Sequence, residues 1–337
     1  MQKLKVLILT DHRGHSAENS LYALAKAMKL HPRCECVDVA SKGILENDLF
    51  FDQHTGSELQ VSSVDDSFGF SPAGKAFIEN VRNESLHNYE VVWLRMPPPL
   101  SERFLKFLND EFPDQLIINA PEGILKTGSK AFLLQFPEVC PPMKLCRSVE
   151  DILAFKDQFP IVLKPLREYG GRGIVKIIGE QVWEGKEEGS LDDFIKKIEA
   201  GPIEYLGVKY LKNVFQGDKR IVVIHGKIMG ASLRLPEKGS WICNVSMGGS
   251  SNTAEVDENE VEMIRRINPT LSKLGIVMYG VDTLVDDTGR RILSEINATS
   301  IGGLPQIAKQ SGRPLVEEGI NLIWDYIKNN KNEIISG

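Results

Sequence analysis

The chain has 337 residues, 42% of them hydrophobic and 26% charged, with a formal net charge of −6. That length accommodates two or three domains with cores of their own, in the balance of an ordinary globular protein. The small negative charge excludes a general electrostatic attraction to nucleic acid or anionic lipid, so any phosphate chemistry must use locally placed cations.

In chain order, residues 5–9 read as a continuous apolar strand of the kind buried in parallel sheets. A polar loop over 11–18 follows, then a helix with Leu21, Leu24, Ala25 and Met28 on one face. Residues 36–39 are a second strand. Residues 89–94 are another, ending in Arg95-Met96-Pro97-Pro98-Pro99, where regular structure must stop. Ser101 can cap a helix reaching residue 108, and 116–118 form a strand ending at Asn119-Ala120-Pro121. Strands alternating with helices predict an open, mostly parallel α/β sheet, whose ligands sit at the carboxyl ends of the strands. Asp11, Arg95 and Asn119 follow strands there. Within this region, residues 69–76 (GFSPAGKA) match the glycine and lysine spacing of a P-loop. Ala76 stands where a metal-binding hydroxyl is needed, and the preceding VSSVDDS is too polar for a buried strand. A surface turn feeding a helix over 75–81 is the better reading.

The second region carries strands over 161–165 and 173–178 around the turn REYGGRG. Glycines there let backbone amides approach an anion. A plain hairpin also explains the glycines, but not Lys164 inside an apolar strand, which is costly to bury alone. That weighs toward phosphate. The acidic EGKEEGS stretch near Glu184 reads as a solvated loop.

The third region is β-rich at first, with strands over 205–211, 220–225, 227–233 and 241–245. Gly217-Asp218-Lys219-Arg220 opens one strand, and Arg234 lies on the next. A hairpin around His225-Gly226-Lys227 lets both arginines face one side, where their planar forks suit carboxylate or phosphate oxygens. Two surface arginines are the alternative. Two helices with Val261, Ile264, Ile267 and Leu271, and Val316, Ile320, Ile323 and Ile327, on their faces flank the segment YGVDTLVDDTGRRILSEINATS. That segment is the most informative in the chain. Its two apolar runs, joined by Asp286-Asp287-Thr288-Gly289, form a hairpin. Glu295 and Asn297 share a face, and antiparallel pairing can bring Asp282 beside them. Two carboxylates and an amide oxygen suit Mg²⁺ that keeps positions for water and phosphate. Ordinary exposed acids on a hairpin are the alternative.

Cys34, Cys36, Cys140, Cys146 and Cys243 show neither zinc spacing nor a Cys-x-x-Cys pair, which predicts reduced thiols. The first apolar run is too short for a signal peptide, and none approaches membrane-spanning length. A cytoplasmic protein with no nucleic-acid or membrane partner is expected.

The order of lysine, glycine-rich hairpin, GDKR strand, aspartate and Glu-x-Asn resembles the ATP-grasp superfamily, most closely the bacterial glutathione synthetases. The segments IVLKPLREYGGRGIVKI, GDKRIVVIHGKIMGASLRLP, NVSMGG, WLRMPPP and INAPEGILKTGSKAF carry the resemblance with the hairpin. It implies an α/β architecture: an N-terminal substrate domain over 1–125, then an ATP-grasp fold with a lid subdomain over 126–203 and a catalytic subdomain over 204–337. Lys130 and Lys164 would contact ATP phosphates, with Tyr169, Gly170 and Gly171 in a cover over the nucleotide. Lys209, Tyr210 and Leu211 would form the hinge that reads adenine, and Asp218 would meet the ribose. Asp282, Glu295 and Asn297 would hold Mg²⁺, Mn²⁺ being admissible, and Arg220 with Arg234 would face an acyl phosphate. Arg95, Asn244, Gly248, Gly249, Thr299 and Ser300 would line the substrate side, with the loop 247–249 as a second cover.

The implied reaction is ATP-dependent carboxylate–amine ligation on small amino-acid or peptide substrates, foremost γ-glutamylcysteine and glycine. Assembly into a homo-oligomer stays open. The chain departs from the synthetase pattern where substrate is selected: Asn297-Ala298-Thr299-Ser300-Ile301-Gly302-Gly303 replaces Asn-Val-Thr-Ser-Pro-Thr, and Met96 replaces the Lys-Asp after Arg95. An ATP-grasp ligase for another pair, like the ribosomal-protein glutamate ligases, therefore remains an alternative. So does a non-catalytic nucleotide-binding or metal-sensing module, in which His12 and His15 would feed a transition-metal site.

Overall fold

The structure, a computed structural model, describes residues 3–235 and 250–335. The strand expected over 241–245, and with it Asn244, Gly248 and Gly249, lies outside the described residues. The first sheet contains β1 (Leu4–Thr10), β2 (Cys34–Ser41), β3 (Glu58–Ser63), β4 (Arg82–Ser85), β5 (Val91–Arg95) and β6 (Leu116–Ile118), in the order β4-β3-β2-β1-β5-β6. Val6, Leu7, Ile8 and Leu9 are fully buried, as a continuous apolar run at the centre of a covered parallel sheet requires. The helix Ser20–Leu30, capped by the Asn19 side chain, packs on one face through Leu21, Leu24, Ala25 and Met28.

In this first region two features differ from expectation. β3 and β4 extend the sheet antiparallel, so it is mixed at one side; their sequences, ELQVSS and RNES, are too polar to announce strands. The helix expected over 75–81 is the single turn Lys75–Ile78.

The second sheet is antiparallel and contains β7 (Met143–Cys146), β8 (Ile161–Pro165), β9 (Val175–Ile178), β10 (Gln181–Glu184), β11 (Glu187–Ser190) and β12 (Tyr205–Lys209), in the order β11-β10-β9-β8-β12-β7. The EGKEEGS stretch is no free loop: it forms the tip of the β10–β11 hairpin, its acids on an exposed edge strand. β12, expected with the third region, belongs here, because it pairs antiparallel with β7 and β8, while its Leu206 and Val208 pack into the cluster shared by the first and third sheets.

The third sheet contains β13 (Asp218–Ile224), β14 (Lys227–Leu235), β15 (Ser250–Ala254), β16 (Met278–Val285) and β17 (Arg291–Asn297), antiparallel in the order β15-β14-β13-β16-β17. His225 and Gly226 both take left-handed φ (47° and 75°), the geometry that closes a two-residue hairpin with the twist of its strands. The helix Glu258–Lys273, opened by an Asp257–Glu260 capping box, buries Ile264, Ile267 and Leu271. One apolar cluster joins Leu7 and Val92 of the first sheet to Ile221, Tyr279 and Leu293 of the third. Among the described residues no helix is long and apolar enough to cross a membrane.

Candidate active site

Strand register builds the centre. Arg220 of β13 lies opposite Asp282 of β16, which lies opposite Glu295 of β17. Cross-strand neighbours share a face, so guanidinium and both carboxylates project together. On the other side of β13, Asp218 lies opposite Arg234 of β14. Both arginines converge on Asp282. Arg220 donates Nε to Oδ1 at 2.7 Å and Nη2 to Oδ2 at 2.6 Å, and Arg234 Nη2 lies 2.9 Å from Oδ2. Arg234 also donates to Asp218, so two cations and two anions alternate. Burial alone would raise the Asp282 carboxyl, but the two guanidiniums overcome it and hold the group at about 2. Burial, then the neighbouring Asp282, push Asp218 up to about 7 against the pull of the arginines.

This cluster closes the polar end of a cavity of about 310 Å³. Val162, Ile174, Val208, Leu211 and Leu284 form an apolar slot, and Lys164, Arg220, Arg234, Glu295 and Asn297 line the charged end. An apolar slot leading to convergent cations is what a purine nucleotide needs. A register shift after Asp282 leaves Ser294 as an extra residue on β17. Lys164 Nζ lies 3.2 Å from its Oγ and 3.4 Å from its carbonyl oxygen. Lys130 sits 4.0 Å from Glu295 Oε1, donates to the Glu168 carbonyl and lies 5.3 Å from the Tyr169 ring centroid; burial lowers its ammonium against the opposing pull of Glu295. Tyr169 Oη donates to Gly128 O at 3.1 Å, and Gly170 and Gly171, both at positive φ, line the cavity beside it. Lys209, Tyr210 and Leu211 line the slot. The Lys209 and Tyr210 amides are committed to Pro142 O (2.9 Å) and Pro160 O (2.8 Å), and the Lys209 ammonium to Asp287 at 2.8 Å.

Asp282, Glu295 and Asn297 form a donor set of oxygens only. Asn297 gives Nδ2 to Asp282 Oδ2 at 3.1 Å, which leaves its Oδ1 uncommitted by that bond. Among the described residues no group of three His, Cys, Asp or Glu is arranged to hold a metal. Two carboxylates and an amide oxygen are the donors a hard cation takes while completing its coordination from water and nucleotide; Glu295 and Asn297 Oδ1 are open to it, whereas both Asp282 oxygens are engaged by Arg220 and Arg234.

The structure does not bring Arg95 to this cavity. Arg95 is 3% exposed and donates Nη2 to Ser20 Oγ and to Ile301 O, both at 2.7 Å. It ties the first sheet to the loop 299–303, in which Thr299 and Ser300 are half-buried and Ser300 takes φ 45°. The histidines are committed elsewhere. His12 Nδ1 meets Ser41 Oγ at 2.7 Å and its ring stacks on Phe77, while His15 uses both nitrogens on Thr10 and Tyr22.

Two residues lacked an assigned role in the sequence. Asn119 accepts from the Val277 and Met278 amides (2.7 and 2.9 Å) and donates to Met278 O and Ala298 O (both 2.7 Å). It thereby fixes the residue after Asn297, and its place at a strand's carboxyl end was the only signal. Glu260 is fully buried and receives Lys219 Nζ at 2.6 Å and Thr283 Oγ1 at 2.8 Å, bracing β13 and β16 from behind. The capping-box spacing Asp257-x-x-Glu260 was its signal.

Fold and site together define an ATP-grasp ligase. The structure aligns over its whole length (98% of the other chain) with the D-alanine–D-alanine ligase from Coxiella burnetii at TM-score 0.65 and 14% identity. It aligns over 96% (99% of the other) with a D-cycloserine synthetase at TM-score 0.63 and 13% identity. At the sequence level, residues 129–312 match the prokaryotic glutathione synthetase, ATP-grasp domain. The chain is 28% identical to the glutathione synthetase of Bradyrhizobium diazoefficiens over 251 residues, 73% of this chain and 75% of that protein. It is 29% identical to that of Prochlorococcus marinus over 244 residues, 71% and 76% respectively. The chain belongs to the prokaryotic glutathione synthetase ATP-grasp family. It is an ATP-using carbon–nitrogen ligase of the glutathione-synthetase type.

Proposed function

We propose that the enzyme joins γ-glutamylcysteine to glycine, converting ATP to ADP and phosphate. The match to the glutathione synthetase family supports the choice of substrates, and the register placing Arg220, Asp282 and Glu295 side by side at the lined cavity supports the phosphoryl chemistry. Adenine enters the slot, where the Leu211 amide is the hinge donor left once Lys209 and Tyr210 have bonded to Pro142 and Pro160. Lys130 and Lys164 orient the phosphates, and Asp218 meets the ribose. Asp282, Glu295 and Asn297 would hold Mg²⁺, which when bound would neutralise phosphate charge.

The cysteinyl carboxylate attacks the γ-phosphorus and the bond to ADP breaks, leaving an acyl phosphate. The glycine amine then attacks the acyl carbon, phosphate leaves and the amine loses a proton. Arg220 and Arg234 face the charge that develops on the phosphoryl and acyl oxygens. The glycine-rich segment around Gly170 and Gly171 excludes water, which would otherwise hydrolyse the acyl phosphate. The substrate domain (1–125), lid (126–203) and catalytic subdomain (204–337) follow the three sheets except at β12, so the lid extends through Lys209. Arg95 acts by holding the loop 299–303, whose Thr299 and Ser300 meet substrate. ADP release and peptide formation, measured over a panel of amino acids and dipeptides with and without γ-glutamylcysteine, test the assignment. Product only with γ-glutamylcysteine and glycine is expected, and turnover confined to another pair overturns the substrate choice.

A further inference from the structure

The hairpin of β16 and β17 carries Asp282, Glu295 and Asn297 on its strands, but its tip has a second contact. The turn Asp286-Asp287-Thr288-Gly289 reaches the segment that follows β12 and borders the apolar slot. The tip is rigidly built. Asp286 Oδ1 accepts from Thr288 N at 2.8 Å, Thr288 Oγ1 at 2.7 Å and Arg290 N at 2.9 Å. The Asp286 amide donates to Arg290 O at 2.7 Å, and Gly289, at φ 88°, donates its amide to Asp286 O at 3.1 Å.

Asp286 thus secures the turn, and Asp287 spends its carboxylate on the neighbouring segment. Asp287 Oδ1 accepts the Lys212 amide at 3.0 Å, and Oδ2 lies 2.8 Å from Lys209 Nζ. Asn213 Nδ2 adds a bond to Asp286 O at 2.7 Å. The same segment is tied from the other side, where Pro142 O and Pro160 O accept the Lys209 and Tyr210 amides. Leu211, which lines the slot, sits between these two anchorages. A recognition backbone held at both ends has less freedom to lose when its ligand arrives. The hairpin also meets the charged end of the cavity, because Ser294 of β17 receives Lys164 while Glu295 and Asn297 line the wall. One β-ribbon therefore sets the spacing between the two ends of the cavity.

We propose that Asp287 is a positioning residue for base recognition. Through the Lys212 amide and the Lys209 ammonium group it fixes the Leu211 amide at the slot, so that a single hairpin holds the reader of the base at its tip and the groups that meet the phosphates on its strands. This role rests on the reading above that adenine enters the slot. Asp287 itself does not line the cavity, so it acts only through the segment it holds.

The test compares wild type with Asp287→Ala by calorimetry, using ATP and inorganic triphosphate as ligands, each with Mg²⁺. Both ligands meet the charged end and only ATP meets the hinge. The ratio of the two affinities therefore isolates the base, and it cancels the effect of removing one negative charge near the phosphates. The Lys209–Asp287 side chains keep 29% and 26% exposure, so the lower end of a charge-assisted hydrogen bond applies, and the preference for ATP should fall about tenfold. Equal changes in both affinities, the result if the tip merely props up the hairpin, leave the preference intact and overturn the proposal. So does no change in either. A wild type that binds ATP no better than inorganic triphosphate defeats the adenine reading and the proposal together. A wild type that prefers ATP beside a variant with the same preference defeats the proposal alone. If circular dichroism shows Asp287→Ala unfolded, Asp287→Asn takes its place, since it keeps an acceptor for the Lys212 amide and loses the charge toward Lys209. A charge-assisted hydrogen bond is about twice as strong as a neutral one, so its preference should fall about threefold, and an unchanged preference overturns the proposal.

Discussion

Asp282→Asn and Glu295→Gln should both abolish turnover and yet differ in what they do to the fold. Asp282 is 3% exposed and accepts both forks of Arg220 as well as a contact from Arg234. Asparagine offers one oxygen and turns an NH₂ toward a donor, leaving two guanidiniums to share Asp218. Removing one partner from a buried ion pair costs about 3–5 kcal/mol. The Arg220 side chain keeps 22% exposure toward the cavity, so water reaches it and the lower end, about 3 kcal/mol, applies. Glu295 has a side chain 30% exposed, and its nearest cation, Lys130, is 4.0 Å away. Loss of so open a pair costs at most about 1 kcal/mol. Urea unfolding followed by circular dichroism gives the two free energies, and unchanged m-values validate the comparison. Equal stabilities for the two variants, or an Asp282→Asn variant as stable as wild type, would refute the buried arginine–aspartate cluster.

Lys130→Met and Lys164→Met keep the aliphatic stem and remove the charge, and each should weaken ATP binding by about 1.5–3 kcal/mol, read by calorimetry. Unchanged affinity in both would move the phosphate cradle elsewhere. Burial, reinforced by His12, holds the His15 imidazole down at about 4 against an ordinary 6.5. The unfolded chain therefore binds the extra proton first, and stability that is complete above pH 6.5 should decline as pH falls toward 4. His15→Gln should flatten that part of the stability–pH curve, and an unaltered slope contradicts the assignment. Asn119→Ala strands two amides and two carbonyls, each costing about 1–3 kcal/mol, so a loss of about 3 kcal/mol or more is expected. Because Ala298 follows Asn297, the same variant should need more Mg²⁺ for half-maximal rate; wild-type Mg²⁺ dependence would remove Asn119 from the positioning of the site.

The convergence of Lys164, the glycine turn, Asp282 and Glu295 around one cavity was legible because its signals are local. A lysine in an apolar strand, glycines in a turn, and a carboxylate and an amide two residues apart on a hairpin strand each declare themselves within a few positions. Strand alternation then predicts their common face, as the Asp282–Glu295 pairing bears out. What escaped was long-range or polar. β3 and β4 carry hydrophilic sequences, and only the neighbouring sheet makes them strands. Arg95 looked like a substrate contact because it ends a strand at a ligand-binding edge. Its hydrogen bond to Ile301, some two hundred residues away in sequence, turns it inward. Asn119 and Glu260 also act through partners outside their own segments, 179 and 41 residues away, and neither the strand-end position of the one nor the capping-box spacing of the other announces those partners.

The central claim, activation of a substrate carboxylate as an acyl phosphate, is tested most directly by isotope transfer. γ-Glutamylcysteine labelled with heavy oxygen in its cysteinyl carboxylate is turned over with glycine and Mg²⁺–ATP, and the inorganic phosphate is analysed by mass spectrometry. Each phosphate released should carry one carboxylate oxygen, because the carbon–oxygen bond breaks only when the amine expels phosphate. Peptide formed alongside unlabelled phosphate would contradict the acyl-phosphate route and the role of the Arg220–Asp282–Glu295 centre in it.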